Sequence, residues 1–107
     1  MDAGKHIVVV FRSRLNAGVD AEYEPEATRM VELASSMPGF CSIKTFTAED
    51  GERVSVIEFE SLAAEQAWRD HPEHRKVQAR GRDEFYAGYR IQVCELMGER
   101  TYGEDPR

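Results

Sequence analysis

The amino-acid sequence predicts an α+β domain whose elements follow the order β-α-β-β-α-β. Three observations lead to it. Runs of β-branched and aromatic residues alternate with two helical patterns. The two middle runs are joined by "EDGE", where Asp50-Gly51 is a strong hairpin signal. The 107 residues are the size of one domain. This order is that of the ferredoxin-like split βαβ unit, a four-stranded antiparallel sheet with strand order 4-1-3-2.

The first predicted strand is "HIVVVFRSRL", residues 6 to 15, and its centre is apolar on both faces, which is typical of a central strand. A helix is predicted from Glu22 to Met37. We expect Asp20 to cap this helix, and Pro25 to delay its regular part until about Glu24. The apolar residues of the helix recur at steps of 4, 3, 4 and 3 and form one face: Tyr23, Ala27, Met30, Ala34 and Met37.

The second half begins with a hairpin of two strands, residues 40 to 50 and 53 to 60. Strict alternation in the first of them places Phe40, Ser42, Lys44 and Phe46 on one face. Ser61 is the expected N-cap of a short helix that His71-Pro72 interrupts, because a residue before proline is disfavoured in the helical conformation. A second helical piece runs from about Glu73 to Asp83, and the last strand is predicted at residues 89 to 97.

Composition restricts the classes of function. The chain is 41% hydrophobic and 32% charged, with a net charge of −6, so it is typical of a globular protein and disfavours nucleic acid as the main partner. The apolar run in the first strand is too short for a signal peptide or a membrane span, so we expect a cytoplasmic protein. We expect a single domain over residues 1–107, with a core at about 6–97 and a polar C-terminal tail at 98–107.

The two cysteines are predicted on opposite edges of the sheet. Cys41 falls on the second strand and Cys94 on the fourth. Three strand spacings of about 4.8 Å separate these edges by roughly 14 Å. A disulfide requires Cα atoms closer than about 7 Å, so we expect no bond between them within one chain.

A sheet of this kind leaves one face uncovered, because two helices can cover only the other. Several predicted strands carry apolar side chains on both faces, among them Val8, Val10 and Val56. A large exposed apolar surface usually marks an interface. We therefore expect a homodimer formed through the open sheet face, with a two-fold axis and the character of a β-barrel. The alternative is a monomer with one wet, amphipathic face.

Three stretches carry a resemblance to a known family: "RMVELASSMPGF", "EDGERVSVIEFES" and "AWRDHPEHRKVQARGRDEFYAGYRIQVCEL". The third is the most specific, since the first two are common in the fold. The chain resembles the antibiotic biosynthesis monooxygenase domain of the dimeric α+β barrel group over residues 6 to about 97. The resemblance implies a homodimer with one pocket per subunit between the sheet and the helices.

Characterised members of this family include cofactor-independent oxygenases of polycyclic phenols, quinol oxygenases and a haem-degrading branch. The resemblance therefore implies a monooxygenase that needs no cofactor and acts on a small phenolic or quinol-like aromatic substrate. The haem-degrading branch uses an Asn on the first strand and an axial His well after the Trp. Here the first strand lacks Asn, and Val77 and Gln78 stand near the axial position, so haem degradation is disfavoured.

The candidate catalytic residues are Trp68, His71 and His74. The family commonly has a Trp at this place, and the indole N–H can hold a phenol or quinone oxygen; the alternative is a core anchor between helix and sheet. A His whose pKa is near 6.5 can take a phenolic proton. The alternatives are a helix cap for His71 and a half-buried surface residue for His74. We expect no metal site, because the proline break spoils the helical geometry that two such His would need.

The expected pocket also includes aromatic residues and one arginine. Tyr86 and Tyr89 can direct hydroxyls into a pocket or lie at a dimer interface. Arg12 can hold an anionic substrate or form an interface ion pair. Two other functions use the same pocket: non-catalytic binding of a small molecule, and acid/base chemistry of the cyclase type. The predicted pocket residues are Trp68, Phe46, Phe59, Tyr86, Tyr89 and Arg12.

Overall fold

The computed structural model describes residues 6–104 and has the predicted architecture. Its sheet is antiparallel with the strand order β2-β3-β1-β4, so the predicted α+β fold is confirmed. A short π-helical segment, Gly81–Phe85, leads into the last strand. The strands and helices within the described range are β1 (Ile7–Leu15), α1 (Asp20–Ser36), β2 (Phe40–Thr47), β3 (Arg53–Phe59), α2 (Leu62–Arg69), α3 (Pro72–Arg80) and β4 (Tyr86–Glu95).

The helical region after β3 is broken where the sequence predicts. Ser61 caps α2, since its Oγ accepts a hydrogen bond from the Ala64 N–H at 3.2 Å. His71 caps α3 in the same manner: its Nδ1 accepts from the Glu73 N–H at 3.1 Å. Pro72 then occupies the first turn of α3, where no N–H donor is needed. Two short helices therefore replace one long helix.

The core lies between the helices and one face of the sheet. Trp68 of α2 packs on Phe59 of β3, with ring centroids 5.5 Å apart. Burial of apolar side chains is the main driving force of folding. This layer contains most of the buried hydrophobic residues of the described chain. The buried residues of this cluster are Ile7, Val9, Leu33, Ala34, Ile57, Phe59 and Trp68.

The start of α1 differs from the prediction. The helix begins at Asp20, four residues before Glu24, and Val19 occupies the N-cap position without a side-chain bond, so Asp20 is not the cap. Pro25 lies inside the helix and removes one N–H donor. Tyr23 offsets this loss because its buried ring packs edge-on against Phe85, with ring centroids 5.6 Å apart.

The face assigned to Phe40 was also wrong. The β2–β3 register shifts between Phe40 and Ser42, so an extra residue enters the strand and the alternation changes there. Phe40 consequently packs on the helix side, with its ring centroid 6.0 Å from that of Phe59. Strict alternation along the sequence cannot reveal such a bulge. The last strand also begins earlier than predicted, at Tyr86.

The sheet face opposite the helices carries the apolar residues expected there. Val10 of β1 pairs with Val56 of β3, and Val8 and Val54 lie on the same face. Phe46 of β2 lies beside Val54 and is 52% exposed. An apolar surface of this kind suits a further protein layer.

The positions of the cysteines follow from the strand order. Cys41 on β2 and Cys94 on β4 are exposed on opposite edge strands and are not joined by a disulfide. None of the helices within residues 6–104 has the length and apolar character that a membrane crossing requires.

Gly39 provides a test of how tightly α2 packs on the chain. Its φ is +85°, and a Cβ atom there would lie 2.6 Å from the Cβ of Ala64. Gly18 has a similar φ of +81° with nothing within 4 Å of such a Cβ, so G18A is the matched control. We expect G18A to lower the free energy of unfolding by about 1–2 kcal/mol, the cost of a left-handed backbone. G39A should cost about 1–3 kcal/mol more because of the overlap. Urea denaturation measures both, and equal losses would contradict the close packing.

Candidate functional site

A cavity of about 150 Å³ lies between the sheet and the helices. All four strands contribute to its floor, and α1, α2 and α3 form its walls. Val31 on α1 and Ile91 on β4 both line the cavity and are 40% and 41% exposed, so the apolar lining extends to the protein surface at these residues. The other lining residues are Val9, Phe11, Tyr23, Ala27, Met30, Ile43, Thr45, Arg53, Ser55, Ile57, Glu65, Trp68, Arg69, His74, Val77, Gln78, Tyr86 and Tyr89.

The break between α2 and α3 places Trp68 against His74. The chain turns at His71-Pro72, and the two rings then lie with centroids 4.2 Å apart and planes inclined by 38°. Trp68 is 7% exposed, and its ring also contacts that of Phe59 in the core. Trp68 is thus both a core anchor and part of the cavity wall.

The indole N–H of Trp68 is a buried donor. Among residues 6–104, Nε1 has no hydrogen-bond partner. A buried Trp N–H usually finds an acceptor, since leaving a polar group unsatisfied costs about 1–3 kcal/mol. A ligand oxygen that reached Nε1 would remove this cost.

His74 is held as a neutral imidazole. Its Nδ1 lies 3.3 Å from the carbonyl oxygen of Arg69. Because a carbonyl can only accept, Nδ1 carries the proton, and Nε2 is then the unprotonated nitrogen. Burial lowers the pKa of His74 below its ordinary value of 6.5, and the bond to Arg69 opposes this only in part. His74 can therefore accept a proton near neutral pH.

Glu65 is a buried carboxyl in the same wall. It is 2% exposed and precedes Trp68 by one helical turn. Arg69 Nη2 donates to its Oε1 at 3.0 Å. Burial raises the pKa of Glu65 above its ordinary value of 4.5, and the charge and hydrogen bond of Arg69 act in the opposite direction. Burial thus shifts both Glu65 and His74 toward their uncharged forms.

A pair of tyrosines provides a second polar group in the cavity. The hydroxyls of Tyr23 on α1 and Tyr86 on β4 are 2.9 Å apart. Burial raises the pKa of Tyr86 well above its ordinary value, and the Tyr23 bond adds to this, so the phenol remains protonated. Gly81 makes room for the Tyr86 ring, because a Cβ atom there would lie 2.7 Å from Cε2. The Arg53 guanidinium lies over the Tyr23 ring at 5.4 Å.

The structure brings together four of the predicted site residues: Trp68, His74, Tyr86 and Tyr89 all line the cavity. The other four lie elsewhere. Phe59 is fully buried behind Trp68, and Phe46 is on the opposite face of the sheet. Arg12 forms two hydrogen bonds with Glu52, at 2.8 and 3.1 Å, and His71 caps α3.

Sequence reasoning missed Glu65, Arg69 and Tyr23. Glu65 and Arg69 flank Trp68 on α2 at positions −3 and +1. The spacing of three places Glu65 on the same helix face as Trp68, which was a usable signal. Tyr23 was assigned to the apolar face of α1, but only the fold shows that its hydroxyl meets that of Tyr86.

Comparison with known proteins matches residues 6–80 to the family model of antibiotic biosynthesis monooxygenases. The uncharacterised protein YqjZ of Bacillus subtilis is 31% identical over 100 residues, which cover 94% of this chain and 87% of YqjZ. Two solved structures share the fold. Rv0793 of Mycobacterium tuberculosis has a TM-score of 0.79 at 16% identity, covering 90% of this chain and 99% of its own. The N63A mutant of SnoaB, a cofactor-independent oxygenase of Streptomyces nogalater, has a TM-score of 0.76 at 17% identity. The match covers 94% of this chain and 99% of the SnoaB chain.

The burial of His74 predicts a pH dependence of stability. Its folded-state pKa lies below the unfolded value near 6.5, so the unfolded chain binds the proton more readily. The stability that this difference contributes is present above pH 6.5 and is lost as the pH falls through the folded pKa. Urea unfolding of wild type and H74N across this range should show a steeper acidic loss in wild type. Parallel curves would contradict the assignment.

Proposed function

The chain belongs to the antibiotic biosynthesis monooxygenase family, and from that premise we propose that it is a cofactor-independent monooxygenase of an electron-rich phenolic or quinol-like aromatic compound. The observation that carries the proposal is the cavity wall where the unpartnered Trp68 N–H and the neutral His74 meet. A phenol offers an acceptor oxygen to the first and a proton to the second. Support also comes from SnoaB, a cofactor-independent oxygenase with the same fold.

The reaction balances without an added reductant. The substrate considered is an aromatic compound with a ring CH₂ group that also exists as a phenolic tautomer. Its CH₂ group becomes a carbonyl, one oxygen atom of O₂ enters the product, and the other leaves as water. His74 Nε2 accepts the phenolic proton. The phenolate transfers one electron to O₂, and the resulting radical and superoxide combine to form a carbon–oxygen bond. The substrate supplies all four electrons that O₂ accepts.

The cavity favours this chemistry through its apolar walls and its few donors. Desolvation strengthens the hydrogen bond between the Trp68 indole and the phenolate oxygen, because the local dielectric constant is low. Tyr86 remains a neutral donor and can bind a second oxygen of the substrate. The exposed lining residues Val31 and Ile91 are apolar, which suits an aromatic ligand.

Oxygen uptake with a panel of anthrones, naphthols and quinols tests the proposal. We expect one O₂ consumed per carbonyl product. H74N should lower kcat about 10²-fold, the scale of a lost general base. W68F should lower kcat/KM by about tenfold or more, since a hydrogen bond to a charged oxygen is lost.

H71N decides between the two histidines, because Asn is itself a good helix cap and should preserve α3. Activity lost in H71N and retained in H74N would overturn the role given to His74. Binding of these compounds without any O₂ uptake would instead indicate a non-catalytic binding protein.

We further propose that the active unit is a homodimer formed through the open face of the sheet. The motivation is the patch around Val10 and Val56, which pair across β1 and β3. Light scattering after size exclusion should give twice the chain mass for wild type. V10E should give a monomer, because it places a charge in an apolar interface. T28E, on the exposed side of α1, is the control. A monomeric wild type would contradict the dimer.

A further inference from the structure

We propose that Glu65 is a second proton-transfer residue of this cavity: it gives a proton to the peroxide formed from O₂ and takes back the carbon-bound proton when the O–O bond breaks. The assignment rests on the proposed oxygenase function. Glu65 is not among the site residues predicted from the sequence, and the proposal is based on the position of its buried carboxyl group.

The placement of Glu65 differs from that of an ordinary surface ion pair. Its side chain is 2% exposed, whereas that of its partner Arg69 is 44% exposed. The carboxyl group is therefore on the cavity side of the pair and the guanidinium is toward solvent. Carboxylates are almost never fully buried unless paired, and Glu65 has this pair at the cavity wall. Trp68 lies one helical turn further on the same face.

Charged and titratable groups on several elements lie next to Glu65 or line the same cavity. On α2, Arg69 favours the carboxylate and Asp70 disfavours it. On α3, the neutral imidazole of His74 lines the same cavity. Arg53 on β3 and Tyr23 on α1 line it as well, and they contact each other. Burial outweighs Arg69 in its effect on the pKa of Glu65, so the carboxyl group retains its proton above the usual range.

The geometry gives the cavity an acid and a base together. Burial disfavours the charged form of both groups, so it raises the pKa of Glu65 and lowers that of His74. A carboxyl group and an imidazole in one cavity can act in successive proton transfers. Here one apolar wall produces both shifts.

The proposed proton transfers close the reaction cycle. His74 takes the phenolic proton, and the substrate radical and superoxide combine to give a peroxide anion. Glu65 protonates its terminal oxygen, and Arg69 then stabilises the Glu65 carboxylate. Next, Glu65 accepts the remaining proton from carbon while that C–H electron pair forms the carbonyl and the O–O bond breaks. The departing hydroxide takes the proton from His74 and leaves as water. Both residues return to their initial states.

E65Q tests this role, because Gln keeps the size of the side chain and cannot cycle a proton. We expect kcat to fall about 10²-fold, with KM changed by less than about threefold. We also expect the oxygen balance to change: hydrogen peroxide or an organic hydroperoxide should appear where wild type forms only carbonyl product and water. E65D, which retains a carboxyl group, should recover part of kcat and remove the peroxide.

A second measurement needs no turnover. Trp68 is the single Trp of the chain, so its fluorescence reports on this cavity alone. A pH titration without substrate should show a transition above pH 4.5 in H74N that is absent in the double variant H74N/E65Q, since neither variant contains the imidazole that contacts Trp68. Thermal unfolding of E65Q, followed by the same emission, verifies that the variant folds.

The outcomes separate two failures. An active wild type with E65Q at full kcat and without peroxide overturns the role of Glu65 and leaves the oxygenase function standing. A wild type that consumes no O₂ with any compound overturns both the oxygenase function and the role of Glu65, even if the fluorescence of Trp68 changes with pH as expected. If E65Q does not fold, an E65D variant with part of the wild-type kcat and with the fluorescence transition supports the role of the carboxyl group, and an E65D variant with full kcat or without the transition overturns it.

Discussion

The site depends on the proline break between α2 and α3. A continuous helix would carry His74 onward along the axis of α2, six residues and nearly two turns beyond Trp68. Pro72 prevents this, and His71 satisfies the exposed N–H groups of the new helix start. The chain turns back, the imidazole lies on the indole, and its Nδ1 meets the carbonyl of Arg69 at the end of α2. The Arg69 carbonyl at the C-terminal end of α2 thus orients His74, the proposed base.

Burial has a second consequence, since it acts on three titratable groups along the cavity. The charged forms of Glu65, His74 and Tyr86 are all disfavoured there. Arg69 and Arg53 also line the cavity, so its cationic side chains lie beside groups that burial shifts toward their uncharged forms. Such a site suits an uncharged ligand.

The fold was predictable from the sequence, whereas the site was only partly so. Hydrophobic periodicity and the Asp50-Gly51 turn are local signals, and they sufficed for element order and strand order. The bulge after Phe40 and the early start of α1 were missed, because tertiary packing decides both. The contact between Trp68 and His74 depends on the angle at which two short helices meet. No pattern along the chain encodes that angle.

Membership of the family does not by itself identify the reaction of this chain. The cavity positions that the haem-degrading branch would need for an axial ligand hold Val77 and Gln78, and both line the cavity without offering an imidazole. His74 lies one turn earlier, and its ring packs at an inclination of 38° on that of Trp68. An imidazole in that position is restrained by its contacts with the indole and with the carbonyl of Arg69. The position of the proposed base therefore depends on where along α3 the His falls relative to Pro72.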